Sequence, residues 1–304
     1  LILDAILGGD DPGVVLRRMN EAGVLGRAIP EFGGIVAQTQ FNMYHHYTVD
    51  EHLIRAVGAL AGIESGKLGR EHSLSAEILP SIKDRQVLYV ALLIHDIAKG
   101  RIEDHSIAGA RIARQLCPRL GMSESQTELV SWLVLEHLTM SMVAQSRDLS
   151  DRRTILDFAE TVQTLDRMRY LLILTVCDIR AVGPGVWNGW KGQLLRTLYY
   201  ETEPLLTGGF SSVDRRARVN AARDELVARL EGWDAEEALF FASLPYSAYF
   251  MATDADTQLR HMDFLRRATR AGQSFASEAH TRQFEAITEI TVLAPDHPRL
   301  LSII

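Results

Sequence analysis

The sequence predicts a mostly α-helical protein. Apolar residues recur at helical spacing through most of the chain, and residues that cap helix ends flank many of these segments. Only TEITVLA, residues 288–294, alternates and carries β-branched residues as a strand does, and we expect no second strand to pair with it. Helices packed around a core, with one strand near the end of the chain, are therefore expected.

Composition limits the classes of protein that this chain can represent. With 304 residues and 47% hydrophobic content, it can bury one large core or two smaller ones. No apolar run approaches the roughly 20 residues that span a bilayer, and LILDAIL at residues 1–7 lacks the basic start of a secretion signal. We expect a cytoplasmic protein without a membrane partner, and the first residue, Leu1, indicates a piece of a longer polypeptide.

Charge and cysteine content limit the kinds of partner and metal site that we expect. The net charge of −7 and the isoelectric point near 5.8 argue against a nucleic-acid-binding surface over most of the molecule. Cys117 and Cys177 lie far apart in sequence and form no CxxC pair. We therefore expect two core thiols, with no disulfide framework and no sulfur-ligated zinc.

The first third of the chain predicts two helices separated by breaks. Asp11 followed by Pro12 indicates an N-cap and a first helical turn, and this helix should end near Gly23. Pro30 and the glycines at 33 and 34 are expected to interrupt the chain, and an amphipathic helix should follow over residues 48–63. The polar stretch 64–84 predicts a loop with one short helix.

The segment 87–100, VLYVALLIHDIAKG, dominates the sequence. Asp84 is a good N-cap and Gly100 a good C-cap, so this segment predicts one buried helix with His95, Asp96 and Lys99 at its end. Burying such ionisable groups costs several kcal/mol unless charges or a metal compensate them. Taken alone, the His-Asp pair is also compatible with a structural hydrogen bond.

The remaining elements are predicted from caps and breaks. A capping box at Ser123 and Gln126 starts one helix, Pro118 is expected to stop the helix before it, and Pro245 should interrupt the C-terminal helices. We expect a solvated face on the strongly charged helix at 211–230. The predicted helices after the central one span residues 105–116, 124–137, 151–162, 165–182, 187–206, 211–230 and 234–285.

Six polar residues stand at the ends or on the faces of these predicted helices: His52, His95, Asp96, His105, His137 and Asp178. Four imidazoles and two carboxylates suit a borderline or hard divalent metal. Six ligands are too many for one open catalytic ion, whereas two ions that share Asp96 as a bridge would use them all. Paired ions are a common arrangement for phosphoester hydrolysis. Lys99 would then neutralise a phosphate oxygen, or would be an ordinary solvated cation near a helix C-terminus.

The order H…HD…H…H…D resembles the HD superfamily of metal-dependent phosphohydrolases. Three longer segments, HHYTVDEHLIRAV, LLIHDIAKGRIEDHSIAGA and VWNGWKGQLLRTLYYET, are similar to the bifunctional uridylyltransferase/uridylyl-removing enzymes that act on PII signal proteins. The likeness runs from about residue 18 to residue 249, and ITVLAPDHPRLLSII resembles the opening of that family's first ACT domain. The resemblance implies an HD-domain helical bundle with a C-terminal helical extension and a truncated ACT-like strand.

This resemblance assigns a role to each candidate residue. It implies that His52, His95, Asp96 and Asp178 hold a first ion, and that Asp96 also holds a second ion together with two further histidines, His105 and His137. Asp96 and Lys99 would be the catalytic residues, with Lys99 near the scissile phosphate; Asn188 and Lys191 are further substrate-binding candidates. The chain departs from the family pattern at Ile102, Glu103 and Ile107, so the shape of the loop before His105 is not implied.

The resemblance also implies a domain order. We expect a helical lead-in at 1–44, an HD phosphohydrolase domain at 45–206, a helical extension at 207–285 and the start of an ACT domain at 286–304. The family's nucleotidyltransferase domain is not recognised, because Asp254-x-Asp256 lacks the preceding Gly-Ser turn and predicts a helix start instead. Most of the ACT region that would sense glutamine is likewise not recognised.

The implied function is removal of UMP from uridylylated PII with two divalent ions. Mn²⁺ or Mg²⁺ are the first expectation, and iron and zinc are compatible with the same ligands. Two alternatives stay open: an HD phosphodiesterase or nucleotidase acting on a free nucleotide, and a catalytically silent, metal-stabilised module that binds PII. The other histidines are expected in loops, in packing positions or on the surface: His45, His46, His72, His261, His280 and His297.

Overall fold

The computed structural model describes residue 3 and residues 11–39, 46–69, 71–208, 211–282 and 287–295. Helices dominate this part of the chain, which confirms the mostly α fold class. The chain divides into two compact units, residues 1–187 and residues 188–304. The limits of the four predicted domains stay predictions.

The first unit holds eleven α-helices in its described residues and one short 3₁₀ turn at Leu79–Ser81. The helices are α1 (Pro12–Glu21), α2 (Val24–Ala28), α3 (Pro30–Gly33), α4 (Val49–Glu64), α5 (Ser73–Ile78), α6 (Arg85–Ile94), α7 (His105–Arg119), α8 (Glu124–Glu136), α9 (Thr139–Ser146), α10 (Arg152–Val162) and α11 (Leu165–Val182).

Four of these helices, α4, α6, α8 and α11, pack against one another and form the core of the first unit. Every residue of α6 from Val87 to Ile94 is buried, which explains its continuous apolar sequence. Helix α1 packs on α4, and α7 packs on α8. The ends of the four core helices therefore meet in the interior of the unit.

Capping side chains fix where the core helices begin. Asp84 accepts a hydrogen bond from the Gln86 N–H at 3.0 Å, and Thr164 accepts one from the Arg167 N–H. At α8 both halves of the predicted capping box are present between Ser123 and Gln126. Such caps satisfy orphan N–H groups and set the register of each helix.

Two predicted helix ends in the first unit are wrong in detail. Helix α6 ends at Ile94, and residues 95–100 form successive turns, which place His95 and Asp96 beyond the helix. Pro118 lies inside the last turn of α7. The expected interruption at Pro30 is present, because α2 ends at Ala28 and Pro30 begins α3. A proline at a first helical position loses no hydrogen bond, because that N–H has no partner in a helix anyway.

The second unit holds helices α12 (Gly189–Leu206), α13 (Ser211–Arg229), α14 (Ala235–Ser243), α15 (Ser247–Ala252) and α16 (Ala255–Arg270), followed by strands β1 (Ala276–Arg282) and β2 (Ile287–Leu293). Helix α15 packs against α12 and α13, and α16 packs against α13, α14 and β2. Asp254 caps α16 by accepting from the Thr257 N–H, which confirms the predicted helix start.

The prediction that the strand at 288–294 has no partner is wrong. Strands β1 and β2 pair antiparallel, with Ala276 opposite Leu293 and Arg282 opposite Ile287. Residues 276–282 had been expected to continue the helical extension, but their polar side chains suit a solvent-facing strand that β2 holds through backbone hydrogen bonds.

Other sequence predictions concern single residues. Cys117 and Cys177 are buried free thiols, as expected. His45, His297 and residues 296–304 lie outside the described part of the chain. Among the described residues, we find no helix with the length and apolarity needed to cross a membrane.

Candidate metal centre

The six candidate ligands come from five helices of the first unit. His52 lies in α4, His95 and Asp96 follow α6, and Asp178 lies in the last turns of α11. His105 is the first residue of α7, and His137 directly follows α8. The structure brings all six together in two groups of three, and within each group the ligand atoms lie within 4.8 Å of one another.

The first group consists of His52, His95 and Asp178. The His52 Nε2 atom lies 3.1 Å from Asp178 Oδ1 and 3.2 Å from His95 Nε2, and His95 Nε2 lies 3.5 Å from the same carboxylate oxygen. Two imidazole nitrogens and one carboxylate oxygen thus converge on one point.

The second group consists of Asp96, His105 and His137. The Oδ1 atom of Asp96 lies 3.6 Å from the Nε2 atoms of both histidines. Its other oxygen, Oδ2, lies 3.6 Å from His52 Nε2 and 3.7 Å from His95 Nε2. One carboxylate therefore faces both groups, with a different oxygen toward each.

Backbone carbonyls orient two of the imidazoles. The Nδ1–H of His95 donates to the Leu92 carbonyl at 2.9 Å, and the Nδ1–H of His137 donates to the Val134 carbonyl at 2.7 Å. A carbonyl can only accept, so these contacts place the proton on Nδ1 and leave the Nε2 lone pair pointing into the cluster. Such a second hydrogen bond is typical of metal-ligating histidines.

The charge on Asp96 depends on its neighbours. Burial alone would raise the pKa of this carboxyl, but its interactions with His95, His137 and the Lys99 ammonium group outweigh burial and hold the pKa well below its ordinary value. Asp96 is therefore an anion at neutral pH, the form in which a carboxylate binds a cation.

Burial and neighbouring groups also set the pKa values of other ligands. Burial would raise the pKa of Asp178, but its interactions with His95 and His52 hold it well below the ordinary value. Burial works against charge on His52, yet Asp178 and Asp96 raise its pKa. Burial lowers the pKa of His105 despite Asp96, which favours the neutral imidazole that a metal needs.

The residues present fit a divalent metal. Asp96 Oδ1, His105 Nε2 and His137 Nε2 are buried and have no hydrogen-bond partner within the described structure. Unsatisfied buried polar atoms cost about 1–3 kcal/mol each, and three of them facing one point indicate a site for a cation. The nitrogen and oxygen donor set suits manganese, magnesium, iron or zinc.

Lys99 lies beside the cluster. Its Nζ atom is 2.5 Å from Asp96 Oδ2, so the lysine pairs with the carboxylate that faces both groups. The Gln38 side chain donates to the Lys99 carbonyl at 3.1 Å and packs over Gly100. Gln38 was not predicted as part of the site, because nothing in its local pattern connects it to a turn so far away in sequence.

Asn188 and Lys191, the two further substrate-binding candidates, belong to the second unit. Asn188 is buried and caps α12 by accepting from the Lys191 N–H at 2.8 Å. Burial lowers the pKa of the Lys191 ammonium group. Their roles toward a substrate stay predictions.

The remaining described histidines have packing or surface positions. His46 packs its ring against Gly183, and His72 is buried with its ring 4.6 Å from that of Trp187. The Nδ1 atom of His261 is hydrogen-bonded to the Tyr249 hydroxyl at 3.1 Å. His280 is exposed on β1.

Comparison with known families agrees with this geometry. Residues 49–171 match the family model described as HD domain. The matched segment contains five of the six candidate ligands, and the sixth, Asp178, lies just beyond it in α11. Two of the residues that depart from the family pattern lie on the surface: Ile102 is fully exposed and Ile107 is half exposed. Neither packs into the cluster of candidate metal ligands.

Proposed function

We propose that this chain removes UMP from uridylylated PII, because residues 49–171 match the HD-domain family, which implies metal-dependent phosphohydrolase activity. The phosphohydrolase activity rests on the family match and on the two groups of His and Asp side chains. The specificity for uridylylated PII is supported by the segments YTVDEH, HDIAKG and WNGWKG, which resemble segments of uridylyl-removing enzymes.

One observation carries the proposal. Asp96 points one oxygen at His105 and His137 and the other oxygen at His52 and His95. A carboxylate held in this way can serve two cations at once. Phosphoester hydrolases commonly use two ions at such a bridge.

The six candidate ligands and Lys99 would have separate roles in the reaction. His52, His95 and Asp178 would hold one ion, His105 and His137 would hold the other, and Asp96 would contribute to both. When bound, divalent ions supply Lewis-acid stabilisation of the phosphoryl oxygens. The Lys99 ammonium group, already drawn to this point by Asp96, donates to a phosphoryl oxygen and balances its charge.

The leaving group needs little help. The substrate bond joins phosphorus to a tyrosine oxygen, and a phenol with a pKa near 10 departs more readily than an aliphatic alkoxide. The chain therefore needs to hold the phosphoryl group and its charge, and no side chain has to protonate the tyrosine oxygen in advance.

The test is release of UMP from uridylylated PII by the chain supplied with Mn²⁺ or Mg²⁺. We expect turnover by the wild type, and a loss of at least about 100-fold in Asp96→Ala, because that change removes a ligand from both groups. Asp166→Asn is the matched control, since Asp166 is an exposed carboxylate paired with Lys83 on the surface.

Cyclic and linear free nucleotides are assayed beside modified PII. Faster hydrolysis of a free nucleotide would replace the proposed substrate, and bound metal without hydrolysis of any phosphoester would identify a silent binding module. Normal turnover by Asp96→Ala, with Asp166→Asn unchanged, would contradict the bridging role.

A further inference from the structure

A cavity of the first unit, lined by residues other than the six candidate metal ligands, has the features of a binding site. Its volume is about 580 Å³, within the roughly 300–1,000 Å³ typical of small-molecule pockets. The walls come from the start of α1, from α4, and from the end of α11 with the loop that follows it. Arg17, Arg55 and Arg180 line it, together with the aromatic rings of Tyr47 and Trp187.

The lining favours an anion. It contains three guanidinium groups and a single carboxylate, Asp11, which is already engaged as the N-cap of α1 through the Val14 N–H. Arginine presents five donors in a planar fork that matches a phosphate. An anionic group in the cavity would therefore meet an excess of donors.

Neighbouring carboxylates pair with these arginines but are too few to occupy all of their N–H donors. Glu51 accepts from both Arg17 and Arg55, at 3.0 Å from Arg17 Nη2 and 2.7 Å from Arg55 Nε. One carboxylate cannot saturate the ten N–H donors of two guanidinium groups or neutralise both charges. Arg180 forms its own ion pair with Glu71 at the surface.

Arg55 is also held in place by an aromatic ring. Its guanidinium carbon lies 3.8 Å from the centre of the Tyr47 ring, so the planar group is stacked and fixed. A side chain already immobilised loses less conformational entropy when a ligand binds. Stacked guanidinium and aromatic planes are also the surfaces on which nucleic-acid bases stack.

From this lining we propose that the cavity binds a nucleoside phosphate. The phosphate would pair with Arg17, Arg55 and Arg180, and the base would stack on the planes offered by Tyr47 and Trp187. The site is distinct in residues from the His and Asp cluster, although α4 and α11 contribute to both. The proposal does not depend on which phosphoester the metal centre hydrolyses.

The test measures binding of UMP and AMP by calorimetry in the Asp96→Ala background with a chelator present, so that the metal centre cannot contribute. We expect saturable one-to-one binding of at least one nucleotide. Arg55→Gln should weaken it by about tenfold or more, because it removes one charge-assisted contact to the phosphate. Arg55→Lys, which keeps the charge and loses the fork, should give an intermediate affinity.

Arg114→Gln is the matched control, because Arg114 is an exposed arginine that pairs with Glu128 outside the cavity. Thermal unfolding of each variant checks that it is folded. Binding that Arg55→Gln and Arg55→Lys leave unchanged, or no binding of either nucleotide, would overturn the proposal. Inorganic phosphate binding as tightly as UMP and AMP would also overturn it, since the base would then contribute nothing.

Discussion

The two oxygens of Asp96 make the two halves of the metal centre separable at the level of single residues. His137 contacts only the Oδ1 side, where it lies 3.6 Å from that oxygen, while His52 and His95 face Oδ2. Removing a ligand from one side therefore leaves the complete set on the other side.

We predict that the wild type binds two divalent ions per chain and that His137→Ala retains about one. Elemental analysis after loading with Mn²⁺ and desalting measures this directly. His280→Ala, a change of an exposed histidine on β1, should leave the content of the wild type. Loss of both ions in His137→Ala would show that the two groups of ligands bind metal only as a unit.

A second residue, His72, sets a pH dependence of stability away from the metal centre. Burial lowers its pKa from 6.5 to about 4, and neither ring nitrogen has a hydrogen-bond partner in the described structure. Between these two values the unfolded chain binds a proton that the folded chain does not. The contribution of His72 to the free energy of unfolding therefore falls as pH decreases from about 6.5 to 4, by roughly 3 kcal/mol in total.

His72→Phe should abolish that part of the pH dependence, because phenylalanine can keep the ring contact with Trp187 and takes up no proton. Urea unfolding of both proteins at several pH values gives the difference. If the two curves stay parallel from pH 6.5 to 4, the folded protein accommodates a charged His72 and the prediction is wrong.

At the scale of elements, the turn at residues 95–100 carries His95, Asp96 and Lys99 and ends at Gly100. Gly100 has a φ of +82°, which side chains other than glycine adopt only with strain, and a Cβ atom there would run into the Gln38 side chain. The turn thus depends on a glycine for its backbone and on Gln38 for its hydrogen bond to the Lys99 carbonyl.

We predict that Gly100→Ala destabilises the protein by more than Gly66→Ala. Gly66 also has a positive φ, +78°, but open space surrounds the position of its Cβ, so Gly66→Ala measures strain alone, at about 1 kcal/mol. The excess in Gly100→Ala reports the contact with Gln38. Adding Gln38→Ala to Gly100→Ala should remove that excess in urea unfolding, and equal costs for the two glycine substitutions would contradict the role of Gln38.

The same turn shows where sequence patterns stop being informative. Helix α11 was predicted with its observed limits, since Gly183-Pro184 prevents its continuation. The structure adds that Thr164 caps its start. The end of α6 was missed because Ile97 and Ala98 are as buried as the helix before them. A continuous apolar run shows burial, but it does not show where the hydrogen-bond ladder ends.

Strand β1 was missed for the opposite reason. Residues 276–282, ASEAHTR, have no apolar alternation, and only pairing with β2 makes them a strand. The six candidate ligands, in contrast, were singled out by their places on the predicted helices and by the resemblance to HD phosphohydrolases, which also implied their division between two ions. The fold was needed to show which oxygen of Asp96 each histidine faces.

For the molecule as a whole, the candidate metal ligands come from helices that are far apart in sequence. Its ligands run from His52 to Asp178 and all lie within the first compact unit, residues 1–187. An unfolded chain cannot bring them together, so ion binding adds to folding stability, by about 2.7 kcal/mol per ion at a hundredfold excess over the dissociation constant.

We therefore predict that chelation weakens the first unit selectively. Removing divalent ions should speed amide hydrogen exchange in α6 and α11, whose ends carry His95, Asp96 and Asp178, and should leave exchange in α16 of the second unit unchanged. Hydrogen exchange with mass spectrometry, with and without chelator, measures both at once. In Asp96→Ala the chelator should have a much smaller effect, because that variant lacks the carboxylate shared by both groups. Exchange that accelerates equally in α6, α11 and α16 would show that the ions stabilise the whole chain through a route other than these ligands.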